Sequence, residues 1–307
     1  MNQRVAKELG ALTRGKVLLQ VPLSRHTSLK VGGCADMMIY PVSPEEVLAI
    51  IRFCARRAIP HCVMGAGTNL LVRDGGIRGV VIRLTRSFRK ITLVRPDGDQ
   101  PMLQAEAGAS LRRLLAVCLD KELAGLEFIS GIPGSLGGAW AMNAGAQGGE
   151  MGDVTEAITL LTPQGEIEEK KSPGIPFAYR SLRLVPGTVI IKGLLRVRRG
   201  KRSELANAVE TINRRRWQTQ PLDLPSAGSV FKNPPGDAAG RLIEQAGLKG
   251  RRAGGAQISE KHANFIVNLG GATAKDILTL MDMMQKSVRE ATGITLEPEL
   301  HVAGEDG

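Results

Sequence analysis

Only 3% of the 307 residues are aromatic. Proteins that hold single-stranded nucleic acid stack its bases on aromatic side chains, so the sequence offers little for that kind of binding. No stretch approaches the ~18 consecutive apolar residues that a membrane-spanning helix needs. The N-terminal segment also lacks the sustained apolar stretch of a signal peptide, so we expect a cytoplasmic protein with no membrane span.

Cysteine is equally scarce, with four residues at Cys34, Cys54, Cys62 and Cys118. No pair has CxxC spacing and no histidine cluster accompanies them, which argues against a zinc site. A chain of this length does not need a disulfide framework for its stability. We therefore expect reduced thiols and no bound metal.

Length and charge are the first positive indications. A chain of 307 residues with 43% hydrophobic residues is long enough for about two domains and a cleft. The formal net charge of +11 favours a phosphate-bearing ligand or another polyanion, and nucleic acid would satisfy the charge equally well. The 37 glycines fall in clusters, which is typical of loops whose backbone must approach something closely.

Local signals predict several helices. Ser43 precedes Pro44 and is followed by Glu46, which is the pattern of a capping box at a helix start. Ser110 predicts a second helix start and Asp237 a third. Residues 273–292 form the longest helical pattern, which ends at a glycine.

Apolar stretches between turn residues predict the strands, which we place at residues 61–64, 80–82, 189–197, 265–267 and 295–302, with a hairpin over 158–170. Helices and strands mix without a strict βαβ rhythm, so the predicted fold class is α+β. A basic stretch at 196–202 predicts a domain junction, which divides the chain into domains at 1–200 and 201–307.

The first glycine loop, Gly65-Ala66-Gly67-Thr68-Asn69-Leu70, directly follows a predicted strand. Converging backbone N–H groups in such a loop can bind an oxyanion. The third glycine of a dinucleotide fingerprint is absent and no helix pattern follows, so a Rossmann interpretation fails. Alone, this motif indicates a phosphate loop and an ordinary turn about equally.

The second glycine loop spans residues 131–146 and contains Gly131-Ile132-Pro133-Gly134-Ser135-Leu136-Gly137-Gly138-Ala139 and Asn143-Ala144-Gly145. Two such loops in one domain fit the two ends of an extended phosphate ligand. Ser135 and Asn143 can add hydrogen bonds to it. A purely structural origin is less favoured for so dense a glycine passage.

Two further segments carry polar candidates. Tyr179-Arg180 offers a guanidinium that can hold a carboxylate or phosphate. Ser229 lies in the segment SAGSVFKNP beside Lys232 and Asn233 but lacks the GxSxG elbow of hydrolases, so a proton-donating or hydrogen-bonding serine is the better hypothesis. A Ser-His-Asp triad with His262 has no evident third member.

In the last predicted strand Thr295, Glu297, Glu299 and His301 alternate with Leu296, Leu300 and Val302. Either glutamate could reach a cleft, and the spacing does not choose between them.

Taken in order, these motifs resemble the family of UDP-N-acetylenolpyruvoylglucosamine reductases of peptidoglycan synthesis. The resemblance begins at HTSLKVGG (26–33) and GAGTNLLV (65–72). It continues through GIPGSLGGAWAMNAGA (131–146), Tyr179-Arg180, SAGSVFKNP (226–234) and ISEKHANF (258–265) to LEPE (296–299). It covers nearly the whole chain.

The resemblance implies an FAD-binding domain of the vanillyl-alcohol-oxidase type, with lobes at about 1–82 and 83–200, and a smaller α+β substrate domain. It implies noncovalent FAD, NADPH as co-substrate and a UDP-sugar substrate. We further expect a monomer without a nucleic-acid partner. The implied catalytic residues are Arg180, Ser229 and Glu299, so the family chooses Glu299 over Glu297. The implied substrate-binding residues are Tyr179, Lys232, Asn233 and His262. The implied cofactor-binding residues are Gly65, Ala66, Gly67, Thr68, Asn69, Leu70, Gly131, Ile132, Pro133, Gly134, Ser135, Gly138, Ala139, Asn143 and Gly145.

The chain departs from the longer members of that family at one place. Residues 180–229 are too few for the tyrosine-bearing loop that closes over the substrate, so the chain resembles the shorter variety. The charges of Arg214, Arg215 and Arg216 make them candidates for the substrate diphosphate, with a solvated helix face as the alternative for at least two of them.

The mechanism that the resemblance implies is hydride transfer from flavin N5 to C3 of an enolpyruvyl group, with a proton from Ser229 to C2. Two rival hypotheses stay open at this point. One is another flavoenzyme of the same fold that oxidises a hydroxyacid or alcohol, which a substrate screen would identify. The other is a basic nucleic-acid-binding protein, against which the lack of a recognition motif counts.

Overall fold

The computed structural model describes residues 3–94 and 100–307. Within this part of the chain, no helix is both long enough and apolar enough to cross a membrane. The fold contains both helices and sheets, and the sheets are largely antiparallel, which confirms the α+β prediction.

The helices of the described residues are α1 Gln3–Gly10, α2 Pro44–Arg56, α3 Leu111–Asp120, α4 Leu136–Ala141, α5 Met151–Val154, α6 Arg202–Thr219, α7 Ala239–Gln245 and α8 Ala274–Thr292. Short 3-10 turns lie at Leu23–Arg25 and Glu127–Ile129.

The strands of the described residues are β1 Val17–Pro22, β2 Cys34–Ile39, β3 His61–Met64, β4 Leu70–Val72, β5 Ile77–Arg83, β6 Ile91–Val94, β7 Met102–Glu106, β8 Leu123–Ala124, β9 Gly145–Ala146, β10 Gly149–Glu150, β11 Thr155–Leu161, β12 Ile167–Lys171, β13 Phe177–Ala178, β14 Ser181–Leu182, β15 Val189–Arg196, β16 Arg198–Arg199, β17 Ser226–Ser229, β18 Arg252–Ala253, β19 Ala256–Ile258, β20 Phe265–Asn268 and β21 His301–Ala303.

The chain divides into two compact units that are not contiguous in sequence. Unit 1 comprises residues 1–19, 37–66 and 79–214, and unit 2 comprises 20–36, 67–78 and 215–307. The domain boundary that the sequence places near residue 200 stays a prediction. The compact units group segments 20–36 and 67–78 with the C-terminal part of the chain.

Unit 1 is built around a five-stranded antiparallel sheet in the order β12-β11-β15-β7-β6 and a parallel pairing of β3 with β5. Its core includes the fully buried Trp140, whose Nε1 donates to the Thr155 hydroxyl at 3.0 Å. Gly193 lies inside the continuous strand β15, at a position where a Cβ would lie 2.6 Å from the Trp140 ring. The glycine inside the predicted strand thus makes room for the largest core side chain.

Unit 2 contains the antiparallel sheet β17-β20-β19-β18, against which α8 packs. The parallel pair β4 and β21 adds the residues that follow the first glycine loop. A strand follows that loop, and the helix of a dinucleotide fingerprint is absent there, as the sequence indicated. Buried Ile277, Leu280, Met284 and Val288 form one face of α8, which confirms the helical pattern predicted over residues 273–292.

Two predicted helix caps differ from the structure. The Ser43 hydroxyl accepts from the Glu46 N–H, but the Glu46 carboxylate accepts from Val42 N–H and the Thr13 hydroxyl, so the capping box is only half formed. Glu46 is drawn away because a residue 33 positions earlier in the chain competes for it. The N-cap of α7 is Ala238 and not Asp237, whose carboxylate pairs with Arg241.

The last strand is also shorter than predicted. Only residues 301–303 form it, because Glu299 N–H and Leu300 N–H both donate to Val230 O and Pro298 has no N–H for a regular ladder. Leu296 and Leu300 are buried as predicted, whereas Val302 is 40% exposed.

Candidate functional site

A cavity of about 180 Å³ lies in unit 1 between the end of β3 and the start of α4. Both glycine loops contribute to its wall, through Gly65 from the first and through Ser135, Gly137 and Gly138 from the second. The loops approach each other so closely that a Cβ on Gly65 would lie 2.5 Å from the Ser135 hydroxyl. Any residue larger than glycine would therefore displace that hydroxyl.

The polar groups beside this cavity are short of partners. The Ser135 hydroxyl is buried and has no hydrogen-bond partner within the described residues. The backbone N–H groups of Ala66 and Gly138 likewise lack an acceptor within residues 3–94 and 100–307. A buried hydroxyl without a partner is costly, and the two nearby N–H groups are further donors, so this part of unit 1 indicates a place for an anionic ligand.

Asn143 holds the second glycine loop in shape. The side chain is fully buried, and its Nδ2 donates to Glu150 Oε1 at 2.8 Å and to Ala178 O at 3.0 Å. Its Oδ1 accepts from Gly152 N–H at 2.9 Å. Both amide hydrogens are thus committed within the protein, and the predicted cofactor contact would have to use other atoms of this residue.

The same amide joins the loop to the hairpin of β13 and β14, whose two-residue turn is Tyr179-Arg180. Arg180 has a φ of +54°, in the left-handed region, and its guanidinium lies 5.3 Å from the centre of the Tyr179 ring. Tyr179 is 49% exposed. Unit 1 therefore brings Asn143, Tyr179 and Arg180 into one neighbourhood.

Ser229 lies at the end of β17 in unit 2. Asn264, which is buried, pairs with both backbone groups of Phe231: its Oδ1 accepts the N–H at 3.0 Å and its Nδ2 donates to the carbonyl at 2.8 Å. The Asn264 carbonyl also accepts from Val230 N–H at 2.9 Å. One amide side chain thus fixes the backbone that follows Ser229.

Glu299 is attached to the same segment from the other side. Its N–H donates to Val230 O at 2.8 Å, and Asn69 Nδ2 donates to the Glu299 carbonyl at 3.0 Å. Glu297, in contrast, pairs with Lys232 Nζ at 2.5 Å and its side chain is 70% exposed. The structure therefore distinguishes the two glutamates that the spacing left equivalent: Glu297 lies at the surface in an ion pair with Lys232.

The remaining predicted substrate residues have structural contacts of their own. Asn233 Oδ1 accepts from Ala239 N–H at 3.0 Å, at the first residue of α7. His262 Nδ1 accepts from Asn264 N–H at 3.2 Å, which places its proton on Nε2. Burial lowers the pKa of His262, so its imidazole is neutral at neutral pH. Their predicted roles toward a substrate stay predictions.

The three arginines of α6 are no longer equivalent. Arg214 is paired with Glu210 at 2.6 Å on an exposed face. Arg216 Nε and Gln220 Oε1 lie one helical turn apart and are buried without a partner among the described residues. Burial also lowers the pKa of Arg216. Of this group, Arg216 has the environment of a ligand-binding residue.

Sequence reasoning missed Arg83 and Asn264. Arg83 is 8% exposed, and its Nη2 donates to Gly65 O at 3.0 Å. Asn264 lies in the ISEKHANF motif at 258–265, which by itself assigns no role to this asparagine. An arginine at the end of an apolar strand and an asparagine beside an apolar strand were the available signals.

No group of three His, Cys, Asp or Glu side chains in the described ranges could hold a metal ion.

Comparisons with known proteins agree with this geometry. Residues 35–170 match the family model of an FAD binding domain, and residues 220–303 match that of the UDP-N-acetylenolpyruvoylglucosamine reductase C-terminal domain. The UDP-N-acetylenolpyruvoylglucosamine reductase of Geobacter metallireducens is 44% identical over 306 residues, which cover 100% of both chains.

Two solved structures place the fold. The UDP-N-acetylenolpyruvylglucosamine reductase of Thermus caldophilus superposes with a TM-score of 0.79 at 37% identity, over 94% of this chain and 98% of that one. Cholesterol oxidase of Brevibacterium sterolicum, at 17% identity and a TM-score of 0.50, covers 61% of this chain and 38% of its own. The latter likeness, at this identity, is one of fold alone. The chain belongs to the UDP-N-acetylenolpyruvoylglucosamine reductase family.

Proposed function

We propose that this protein reduces the enolpyruvyl double bond of UDP-N-acetylglucosamine enolpyruvate to give UDP-N-acetylmuramate, a precursor of peptidoglycan. FAD is bound noncovalently and NADPH is the co-substrate. The observation that carries this proposal is membership of the reductase family over the full length of the chain, including both matched domains.

The residues of unit 1 fit the diphosphate of FAD. The buried Ser135 hydroxyl and the N–H groups of Ala66 and Gly138 are donors without acceptors in the described residues. Gly65 has no side chain, and a Cβ at this position would lie 2.5 Å from the Ser135 hydroxyl and so cover it. Backbone donors at a glycine loop and at a helix start are the usual ligands of a nucleotide phosphate.

When bound, FAD would supply two-electron chemistry between NADPH and the enolpyruvyl double bond. Hydride addition at C3 would leave negative charge on C2 that spreads into the adjacent carboxylate. Arg180 binds that carboxylate through its guanidinium, because a fixed cation stabilises charge where it develops. Ser229 gives its proton to C2, and Glu299 orients the same end of the substrate.

The substrate diphosphate requires a cation, and Arg216 is our candidate for it. Its buried Nε and the neighbouring Gln220 Oε1 supply one donor and one acceptor. Tyr179, Lys232, Asn233 and His262 complete the proposed substrate contacts. We also propose a cytoplasmic location and a monomer. Light scattering on the purified FAD-loaded protein tests the monomeric state.

Substitution of Ser229 tests the proton-donor role. We expect Ser229→Ala to bind FAD and accept electrons from NADPH at the normal rate, and to lose ~10²–10⁴ in the rate of the second half-reaction. Anaerobic stopped-flow absorption of the flavin separates the two half-reactions. Ser226→Ala, in the same strand, is the matched control and should leave both rates unchanged. Normal reoxidation of the Ser229→Ala enzyme by substrate would refute the assignment.

A further inference from the structure

Arg83 is a buried cation directly behind the first glycine loop. It ends β5, opposite Met64 in the parallel pairing with β3, and is 8% exposed. Its Nη2 donates to the Gly65 carbonyl at 3.0 Å, and the Tyr40 hydroxyl is a second neighbour. An arginine keeps its charge inside proteins, so this position carries a permanent positive charge.

The contact with Gly65 has a geometric consequence for the next residue. In a trans peptide the carbonyl and the following N–H point in opposite directions, and the only cis peptide bond among the described residues is Ser172-Pro173. Arg83 holds the Gly65 carbonyl toward itself, and the Ala66 N–H is therefore directed away from Arg83. That N–H has no acceptor within the described residues.

The charge has an electrostatic consequence as well. A buried charge is costly unless something compensates for it. The guanidinium lies one peptide unit from the Ala66 N–H, and beside Gly65 lie the buried Ser135 hydroxyl and Gly138 N–H. The protein interior has a low dielectric constant. The positive potential that the buried Arg83 guanidinium produces at these donors is therefore screened far less than the potential of a surface arginine would be.

We propose that Arg83 is a positioning residue for the cofactor diphosphate: it fixes the peptide that presents the Ala66 N–H and adds a positive charge behind it. This inference rests on the proposed function only in that the cofactor is a flavin dinucleotide held at this loop. It predicts that Arg83 favours flavins that carry phosphate groups over riboflavin, which carries none.

The matched control is Arg86, three residues further along the chain. Its exposed guanidinium stacks over the Tyr40 ring, 4.3 Å from the ring centre, and has no hydrogen bond to the glycine loop. Arg86→Met removes the same charge from the same neighbourhood without touching Gly65. Arg83→Gln is the second variant, because glutamine can still donate to the Gly65 carbonyl but has no charge.

The experiment measures the dissociation constants of FAD and riboflavin for the full-length chain stripped of flavin, by quenching of flavin fluorescence. We expect Arg83→Met to weaken FAD binding by at least about tenfold and to change riboflavin binding by less than about twofold. Arg83→Gln should lose affinity for FAD selectively but less than Arg83→Met, and Arg86→Met should resemble the unmodified chain. The ³¹P resonances of bound FAD should shift in Arg83→Met and not in Arg86→Met.

The outcomes separate this inference from the proposed function. If the unmodified chain prefers FAD to riboflavin and both Arg83 variants keep that preference, the inference is wrong and the function stands. An equal loss of FAD and riboflavin affinity would assign Arg83 a purely structural role and overturn the inference. If Arg83→Met does not fold, Arg83→Gln decides by the same comparison. An unmodified chain that binds no FAD would refute both.

Discussion

Arg180 is held in a backbone conformation that arginine rarely adopts. Its φ of +54° lies at the turn of a two-residue hairpin, where glycine or asparagine is usual. Such a conformation costs about 1–3 kcal/mol and persists where the surroundings enforce it, often at functional sites. The observed strain supports the role that the family resemblance assigns to this residue.

Arg180→Gly should therefore separate stability from function. Glycine adopts this φ without steric cost, so we expect the free energy of unfolding to stay equal or to rise by up to about 1 kcal/mol, while reduction of the substrate is lost. Urea denaturation followed by circular dichroism measures the first quantity and flavin reoxidation the second. Arg180→Ala keeps the strained Cβ and is the control, which should lose activity without the gain in stability. A marked destabilisation by glycine would show that Arg180 is needed for folding.

His262 makes stability depend on acid. Burial is the largest cause that lowers its pKa below the ordinary 6.5, Lys249 also lowers it, and Glu244 and a backbone hydrogen bond act in the opposite direction. As the pH falls below about 6.5 the unfolded chain takes up a proton at this position before the folded one does. The stability of the fold must then fall with pH, since protonation favours the unfolded state.

We expect His262 to lower the free energy of unfolding by up to about 1.4 kcal/mol for each unit by which the pH falls below 6.5. His262→Gln keeps an acceptor for the Asn264 N–H and should flatten the pH dependence between pH 6.5 and the onset of carboxylate protonation. Urea denaturation at a series of pH values measures the slope. An unchanged slope in the variant would mean that another group is responsible.

At the scale of elements, α8 illustrates which features sequence patterns reveal. Its start, its apolar stripe and its terminating glycine are local, and all three agree with the prediction. A second cap is not local: Asp74 Oδ1 accepts from Ala274 N–H at 2.8 Å and Oδ2 accepts from Lys275 N–H at 3.0 Å. A carboxylate two hundred positions away has no signature in the helix sequence.

Asp74→Ala should weaken the start of α8. Loss of two charge-assisted hydrogen bonds at a helix N-terminus costs ~1–2 kcal/mol, and salt should reduce the difference. Amide hydrogen exchange should show faster exchange in the first turn of α8 than in its last. Asp282→Ala removes an exposed carboxylate from the middle of the same helix and is the control. Equal effects of the two substitutions would contradict the capping role.

The elements that the sequence mispredicts share this non-local origin. Residues 295–302 satisfy the alternation rule, yet only residues 301–303 form a strand. Two N–H groups that precede this strand donate to the same carbonyl, Val230 O, so no regular ladder forms there. Glu46 leaves its capping box for partners outside the helix. Local propensity identified these segments, but their final form depends on residues that are distant in the chain.

At the scale of the whole molecule, the ordered motifs indicated the family while the separate motifs did not. The first glycine loop alone indicates an ordinary turn as readily as a phosphate loop, the second favours a ligand without naming it, and only the order of the motifs along the chain is specific. The non-contiguous composition of unit 2 was not predictable, because segments 20–36 and 67–78 have no composition that separates them from their neighbours. Arg83 was missed for a related reason, since the meaning of a buried arginine depends on the carbonyl it binds.

The central claim is that one FAD passes electrons from NADPH to an enolpyruvyl UDP-sugar. The most direct test is the visible absorption spectrum of the purified protein under anaerobic conditions, first with NADPH and then with UDP-N-acetylglucosamine enolpyruvate. We expect a flavin band that bleaches with NADPH and returns with that substrate. A flavin band that stays bleached in the presence of the substrate would leave the fold intact and contradict the proposed function, and a protein that binds no FAD even after reconstitution would contradict the whole account.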